Sequence, residues 1–188
     1  MSLGQPGAAT WPLVFLDVDG VLTTSEELLT AAASHVPLRA SCVRNLATVI
    51  ERTGAKIVVS STWRNDGQLY EHLLNSLEML GGHQLRSAVL GGTPSLPGLG
   101  RGFEIALWLE EQKRAMSSLV IFEDSVSHHR SIEAAGLAGF LVKTQLGVCC
   151  LQEGLTEDAA QMALQLLESS NSLDGGERQM PQDLMLVH

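Results

Sequence analysis

The stretch PLVFLDVDGVLT, residues 12–23, sets Asp17 and Asp19 one residue apart at the end of an apolar run and follows them with Gly20. Asp-Gly is ordinary turn chemistry after a strand, which accounts for Asp19 and Gly20 but leaves Asp17 unexplained. In a parallel sheet covered on both faces, ligands collect beyond the carboxyl ends of the strands, so a carboxylate placed there is a candidate for catalysis or metal binding. Three more segments place chemically able residues at strand or helix ends: Ser60 and Ser61 after KIVV, Arg101 before FEIALWL, and Glu123 and Asp124 after LVIF.

These groups need a scaffold, and the sequence supplies one. Strand-like runs occur at LVFLD, KIVVSS, SAVLG, LVIFED and GFLVK, and most are separated by helical periodicity, the pattern of a parallel α/β sheet. Val43, Leu46, Ala47 and Ile50 share one face of a helix expected to stop near Gly54. Leu69, Leu73, Leu77 and Leu80 share another, capped by Asp66 and expected to end at Gly81-Gly82. GGTPSLPGLGRG is too rich in Gly and Pro for regular structure, and helical spacing returns through Ile105, Trp108 and Leu109. TEDAAQMALQLLE predicts a last helix opening on a capping box at Thr156.

The chain has 188 residues, 45% of them apolar, which suits one domain with a sizeable core. The expected organisation is a flexible leader over 1–12, one domain over 13–168 and a tail without periodicity over 169–188. No run reaches the roughly 18 apolar residues of a membrane span, and the first residues lack the features of a signal peptide. A soluble, intracellular protein without a membrane partner is expected. Cys42 stands alone and Cys149-Cys150 are adjacent, so inert thiols are expected rather than disulfides or a zinc site. The net charge of -9 argues against a broad electrostatic grip on nucleic acid, while a local basic group could still hold a phosphate.

Together the four segments resemble the four motifs of the haloacid dehalogenase-like superfamily, from about Leu13 to Leu167. The resemblance implies a three-layer Rossmann-like parallel sheet with helices on both faces and little or no cap. It also implies a phosphatase that forms an aspartyl-phosphate. Asp17 would be the nucleophile and Asp19 the acid and base. Gly20, Ser60, Ser61 and Arg101 would hold the phosphate, with Arg101 where most members carry Lys. Asp17, Asp19, Glu123 and Asp124 would bind magnesium, which resolves the repulsion between clustered carboxylates and the phosphate. His128 stands where the superfamily pattern has a later acid, and His128 with His129 is expected to form an exposed helix pair.

Finer details, TGAKIVVSSTWR, RGFEIALWL and LVKTQLGVCCLQEGLTEDAAQMALQLL, resemble the dehalogenase-type domain associated with Swiss Army Knife RNA repair proteins. That resemblance implies a phosphorylated substrate, with a nucleic-acid end among the candidates, and a role for Arg64 in holding the phosphate or what lies beyond it. The alternative for these two residues is that Trp63 packs on the sheet and Arg64 pairs with a surface acid. Small-metabolite phosphatase and non-catalytic binding module are the competing functions, and the oligomeric state stays open.

Overall fold

The computed structural model describes residues 11–24, 26–27, 37–114, 118–144 and 153–171. Of the leader expected over 1–12 and the tail expected over 169–188, residues 1–10 and 172–188 lie outside the described residues, as do Cys149-Cys150, while 169–171 continue the last helix.

The described strands are β1 (Leu13–Leu16), β2 (Lys56–Val59), β3 (Val89–Gly92), β4 (Leu119–Glu123) and β5 (Leu141–Lys143). They form one five-stranded sheet in the order β3-β2-β1-β4-β5, and every pairing is parallel. The helices are α1 (Ala40–Thr53), α2 (Gly67–Ser87), α3 (Arg101–Glu111), α4 (Val126–Ala134) and α5 (Glu157–Asn171), with 3-10 turns at Thr62–Asn65 and Ala138–Phe140. The fold is the expected α/β, Rossmann-like architecture.

Alternation along the central strands divides the core between two faces, because successive side chains of a strand point to opposite sides. Val14, Leu16, Ile57, Val59, Val120 and Phe122 pack with α1, α2 and α5 through residues such as Leu46, Leu77 and Leu164. Leu13, Phe15, Val58, Leu119 and Ile121 pack with α3 and α4 through Ile105, Leu109 and Ile132. Phe15 meets Trp108 edge to face at 5.5 Å between ring centres. Each such buried side chain contributes about 1.5–3 kcal/mol, so the strands are fixed from both sides and their ends with them.

Several local signals act as expected. Gly54 closes α1 in the left-handed conformation, its N–H donating to the Ile50 carbonyl. Asp66 caps α2 by accepting from the N–H groups of Gln68 and Leu69. Thr156 accepts from the Ala159 N–H at the start of α5. Gly81-Gly82 interrupts α2 where the stop was expected. Gly82 adopts φ 82°, ψ 168° and breaks the helical path, after which the chain resumes helix through Ser87. Leu85, beyond the break, is buried in the core, and this anchorage holds the extra turn in place.

Between Ser60 and Arg101 the chain is used up by a 3-10 turn, α2, β3 and the loop after it, with no inserted domain. Cys42 is buried and unpaired. Among the described residues no helix is long and apolar enough to cross a membrane.

Candidate active site

Register alone brings the sequence-predicted groups to one level. Leu16 lies opposite both Val59 and Phe122 in the sheet. The next residue of each strand is therefore aligned too, and these are Asp17, Ser60 and Glu123. Backbone bonds continue past the strand ends to fix them: Asp17 N–H donates to the Phe122 carbonyl at 3.1 Å and Ser60 N–H to the Leu16 carbonyl at 2.8 Å. Thr93 and Thr144 extend the same row through bonds to the Val59 and Glu123 carbonyls.

Arg101 opens α3 and points into this row while only 4% exposed. Its guanidinium faces three acids: Nη2 lies 3.8 Å from Asp17 Oδ1, Nε 3.4 Å from Glu123 Oε2, and Nη1 3.4 Å from Glu104 Oε2. Asp17 and Glu123 are themselves buried. These contacts are long for charge-assisted bonds, which favour about 2.7–2.9 Å, and Arg101 Nε and Glu123 Oε2 make no aligned hydrogen bond. The cation therefore sits between the acids with bonding capacity in reserve. Ser60 Oγ is likewise buried without a partner.

The carboxylates differ in their surroundings. Burial pushes the Asp17 carboxyl well above the usual range and Glu123 adds to the rise, while Arg101, the Val18 backbone and the Ser61 hydroxyl pull it back. Burial also raises Asp19, against a pull from the Trp63 indole. Glu123 is pushed up by burial but held below its ordinary value by His128 and Arg101. Asp124 is raised to about 6 by burial and by its neighbour Glu123. Adjacent acids that repel in this way form a pocket suited to a cation. Asp17, Glu123 and His128 each offer a ligand atom, all within 4.8 Å of one another.

Gly20 brings the acidic loop against Asp124. Its φ is +73°, and a Cβ there would lie 2.3 Å from Asp124 Oδ2, so only glycine allows the Asp124 carboxylate to rest on this turn. Thr144 Oγ1 donates to the Gly20 carbonyl from the end of β5 and fixes the turn from the other side.

Some groups have roles that their spacing did not disclose. The Trp63 indole Nε1 donates to both Asp19 carboxylate oxygens, at 3.2 and 3.1 Å, so Trp63 is core packing and the holder of Asp19 at once. Arg64 is occupied within the protein. It donates to the carbonyls of Thr93, Ser61 and Pro94 and pairs with Glu104 at 2.9 Å. Its acid partner is buried rather than at the surface. Glu104 is shared by Arg64 and Arg101 and also accepts from the Leu96 N–H, tying the loop before α3 to the turn after β2. The i, i+3 spacing of Arg101 and Glu104 was the available signal.

His128 and His129 are not an exposed pair. His129 is buried with Nε2 on the Glu123 carbonyl at 3.1 Å, and His128 Nδ1 lies 3.1 Å from Glu123 Oε1. The short α4 starts directly behind the acids, so residues one turn along it still face Glu123.

Arg64 yields a test of the loop contacts. Arg64→Ala is expected to destabilise the protein by about 2–4 kcal/mol, because it removes one of the two cations on buried Glu104 and frees the carbonyls of Ser61, Thr93 and Pro94. Arg64→Lys should restore little of this, since one ammonium cannot reproduce the planar fork. Urea denaturation of both variants measures it, and unchanged midpoints would contradict the structural role.

A parallel sheet with an Asp-x-Asp-Gly turn after β1, an acidic pair at the end of the adjacent strand β4 and a buried cation between them fits a hydrolase of the haloacid dehalogenase type. The chain belongs to the family described as the HAD domain in Swiss Army Knife RNA repair proteins, whose model matches residues 13–160. Comparison with curated proteins gives no match.

Proposed function

We propose that the protein is a magnesium-dependent phosphohydrolase working through an aspartyl-phosphate. The observation that carries this reading is Asp17, a buried carboxylate at the end of the central strand, faced by the Arg101 cation and by partnerless Ser60 Oγ. Asp17 attacks phosphorus and the ester oxygen leaves with a proton from Asp19, which the Trp63 indole orients. Asp19 then takes a proton from water, which cleaves the acyl-phosphate and restores Asp17. Arg101, Ser60, Ser61 and the backbone around Gly20 receive the phosphoryl oxygens.

The crowded acids fit a divalent ion: Glu123 Oε2 is buried without an aligned bond, and Asp124 is raised by burial and then by its acidic neighbour. Asp17, the Asp19 carbonyl, Glu123 and Asp124 would hold magnesium, which when bound supplies charge neutralisation between these acids and the phosphate. Gly20→Ala tests the fit. The added methyl must displace Asp124, so the magnesium concentration for half-maximal activity should rise at least about tenfold. An unchanged magnesium titration would refute the placement of Asp124.

The absence of an inserted domain between β2 and α3 and the family's setting in RNA repair make a phosphorylated polynucleotide end the first substrate to assay. Arg64 is already engaged inside the protein, so this reading gives it no part in gripping substrate. Small phosphorylated metabolites and phosphopeptides are the comparison set. The decisive measurement is phosphate release from these substrates with and without magnesium, together with trapping of an acid-stable, hydroxylamine-labile phosphoenzyme. Release without a trapped phosphoenzyme would reject the aspartyl-phosphate route. No release from any of them would favour a binding module.

A further inference from the structure

We propose that His128 is a ligand of the catalytic cation, so that this chain binds its metal through an imidazole nitrogen as well as carboxylates. The inference deepens the metal-dependent reading above and rests on it. His128 sits one turn into α4, and its Nδ1 lies 3.1 Å from Glu123 Oε1. One ring nitrogen of His128 and one carboxylate oxygen each from Glu123 and Asp17 fall within 4.8 Å of one another.

Two observations separate this arrangement from an ordinary ion pair. His128 Nδ1 is a buried atom with no aligned hydrogen bond, although the ring as a whole is 36% exposed, so the nitrogen faces inward while the rest of the ring reaches solvent. Glu123 is fully buried, and its other oxygen, Oε2, also lacks an aligned bond, with the Arg101 Nε 3.4 Å away. The 3.1 Å separation is also that of neighbouring ligands. Two donors at right angles on an octahedral ion with bonds of about 2.1 Å stand about 3 Å apart.

The Glu123 carboxylate is steadied from behind, as metal ligands usually are. The Ser125 N–H donates to Oε1 at 3.1 Å, and His129 Nε2 meets the Glu123 carbonyl. The consequence is metal choice. Magnesium favours an all-oxygen shell, whereas an imidazole ligand shifts preference toward manganese and the later first-row divalent ions.

The test uses the full chain, stripped of metal and loaded with one equivalent of Mn2+, compared with His128→Asp, which keeps an oxygen ligand and removes the nitrogen. Bound Mn2+ is counted from the loss of the free hexaaqua signal in electron paramagnetic resonance. Pulsed measurements then detect 14N coupling to the bound ion. The expected result is a 14N coupling in the wild-type protein that disappears in His128→Asp while Mn2+ stays bound. The Mn2+ over Mg2+ preference should fall by at least about tenfold in the variant. Bound Mn2+ without 14N coupling in the wild type would overturn the proposal and leave the metal-dependent reading intact. No bound Mn2+ in the wild type would overturn both. A 14N coupling that persists unchanged in His128→Asp would assign the nitrogen to another residue and reject His128.

Discussion

Asp17→Asn is expected to lower turnover by at least about 10^4-fold, the scale on which loss of a covalent nucleophile acts. The amide keeps the shape of the side chain and its place beside Arg101, but it cannot attack phosphorus. The fold should not suffer. Burial and Glu123 hold the Asp17 carboxyl well above its usual range, so its ionised form is disfavoured in the metal-free protein. With a folded-state pKa above the unfolded value, Asp17 contributes stability at low pH that is lost as pH rises through that folded value. The neutral amide has no such dependence, so at neutral pH the metal-free variant should melt no lower than the wild type. Steady-state release of phosphate and a thermal melt, both in the presence of a chelator control, measure the two effects. Retention of most of the magnesium-dependent rate would remove Asp17 as nucleophile, and a collapsed melt would show that the loss came from the fold.

The second large effect concerns Arg101. Arg101→Ala should reduce kcat by about 10^2–10^3-fold for every substrate, because the donor that meets developing charge on the transferring group is lost. It should also destabilise the protein, since Asp17, Glu104 and Glu123 all lose a buried counter-charge. Arg101→Lys keeps a point charge but not three differently directed N–H groups, so it should recover part of the rate and less of the stability. The informative comparison is between a small aryl phosphate and a phosphorylated oligonucleotide. Parallel losses on both place Arg101 on the phosphoryl group itself. A loss confined to the oligonucleotide would show that it reads the substrate beyond the phosphate.

The parallel α/β sheet and the gathering of Asp17, Ser60 and Glu123 were legible in the sequence because they follow from simple regularities. Apolar runs become central strands, parallel strands align their carboxyl ends, and polar residues directly after those runs fall into one row. Arg101 was legible as a lone cation at a helix start. The relations that spacing does not encode were harder. Trp63 reads as core packing, and nothing local says that its Nε1 lies against Asp19. Arg64 carries the same charge whether it meets substrate or three carbonyls, and only the path of the loop from Thr93 decides between them. His128 and His129 look like a polar helix pair until the shortness of α4 and its start behind Glu123 turn both inward. The Gly81-Gly82 stop was legible as the break at Gly82, but the further helical piece anchored by buried Leu85 was not.

Gly102 packs so closely on α4 that a Cβ there would lie 2.1 Å from the Ser131 carbonyl oxygen, and its N–H bonds the Ser131 hydroxyl. Gly100, just before Arg101, faces the Ser131 side chain in the same way. At Gly102 the helix that carries the cation and the helix that follows the acids are therefore docked backbone to backbone, with only the small Ser131 side chain beside the contact. The pair offers almost no room for adjustment: enlarging a residue on either helix at this seam would move Arg101 and the acidic row out of alignment together.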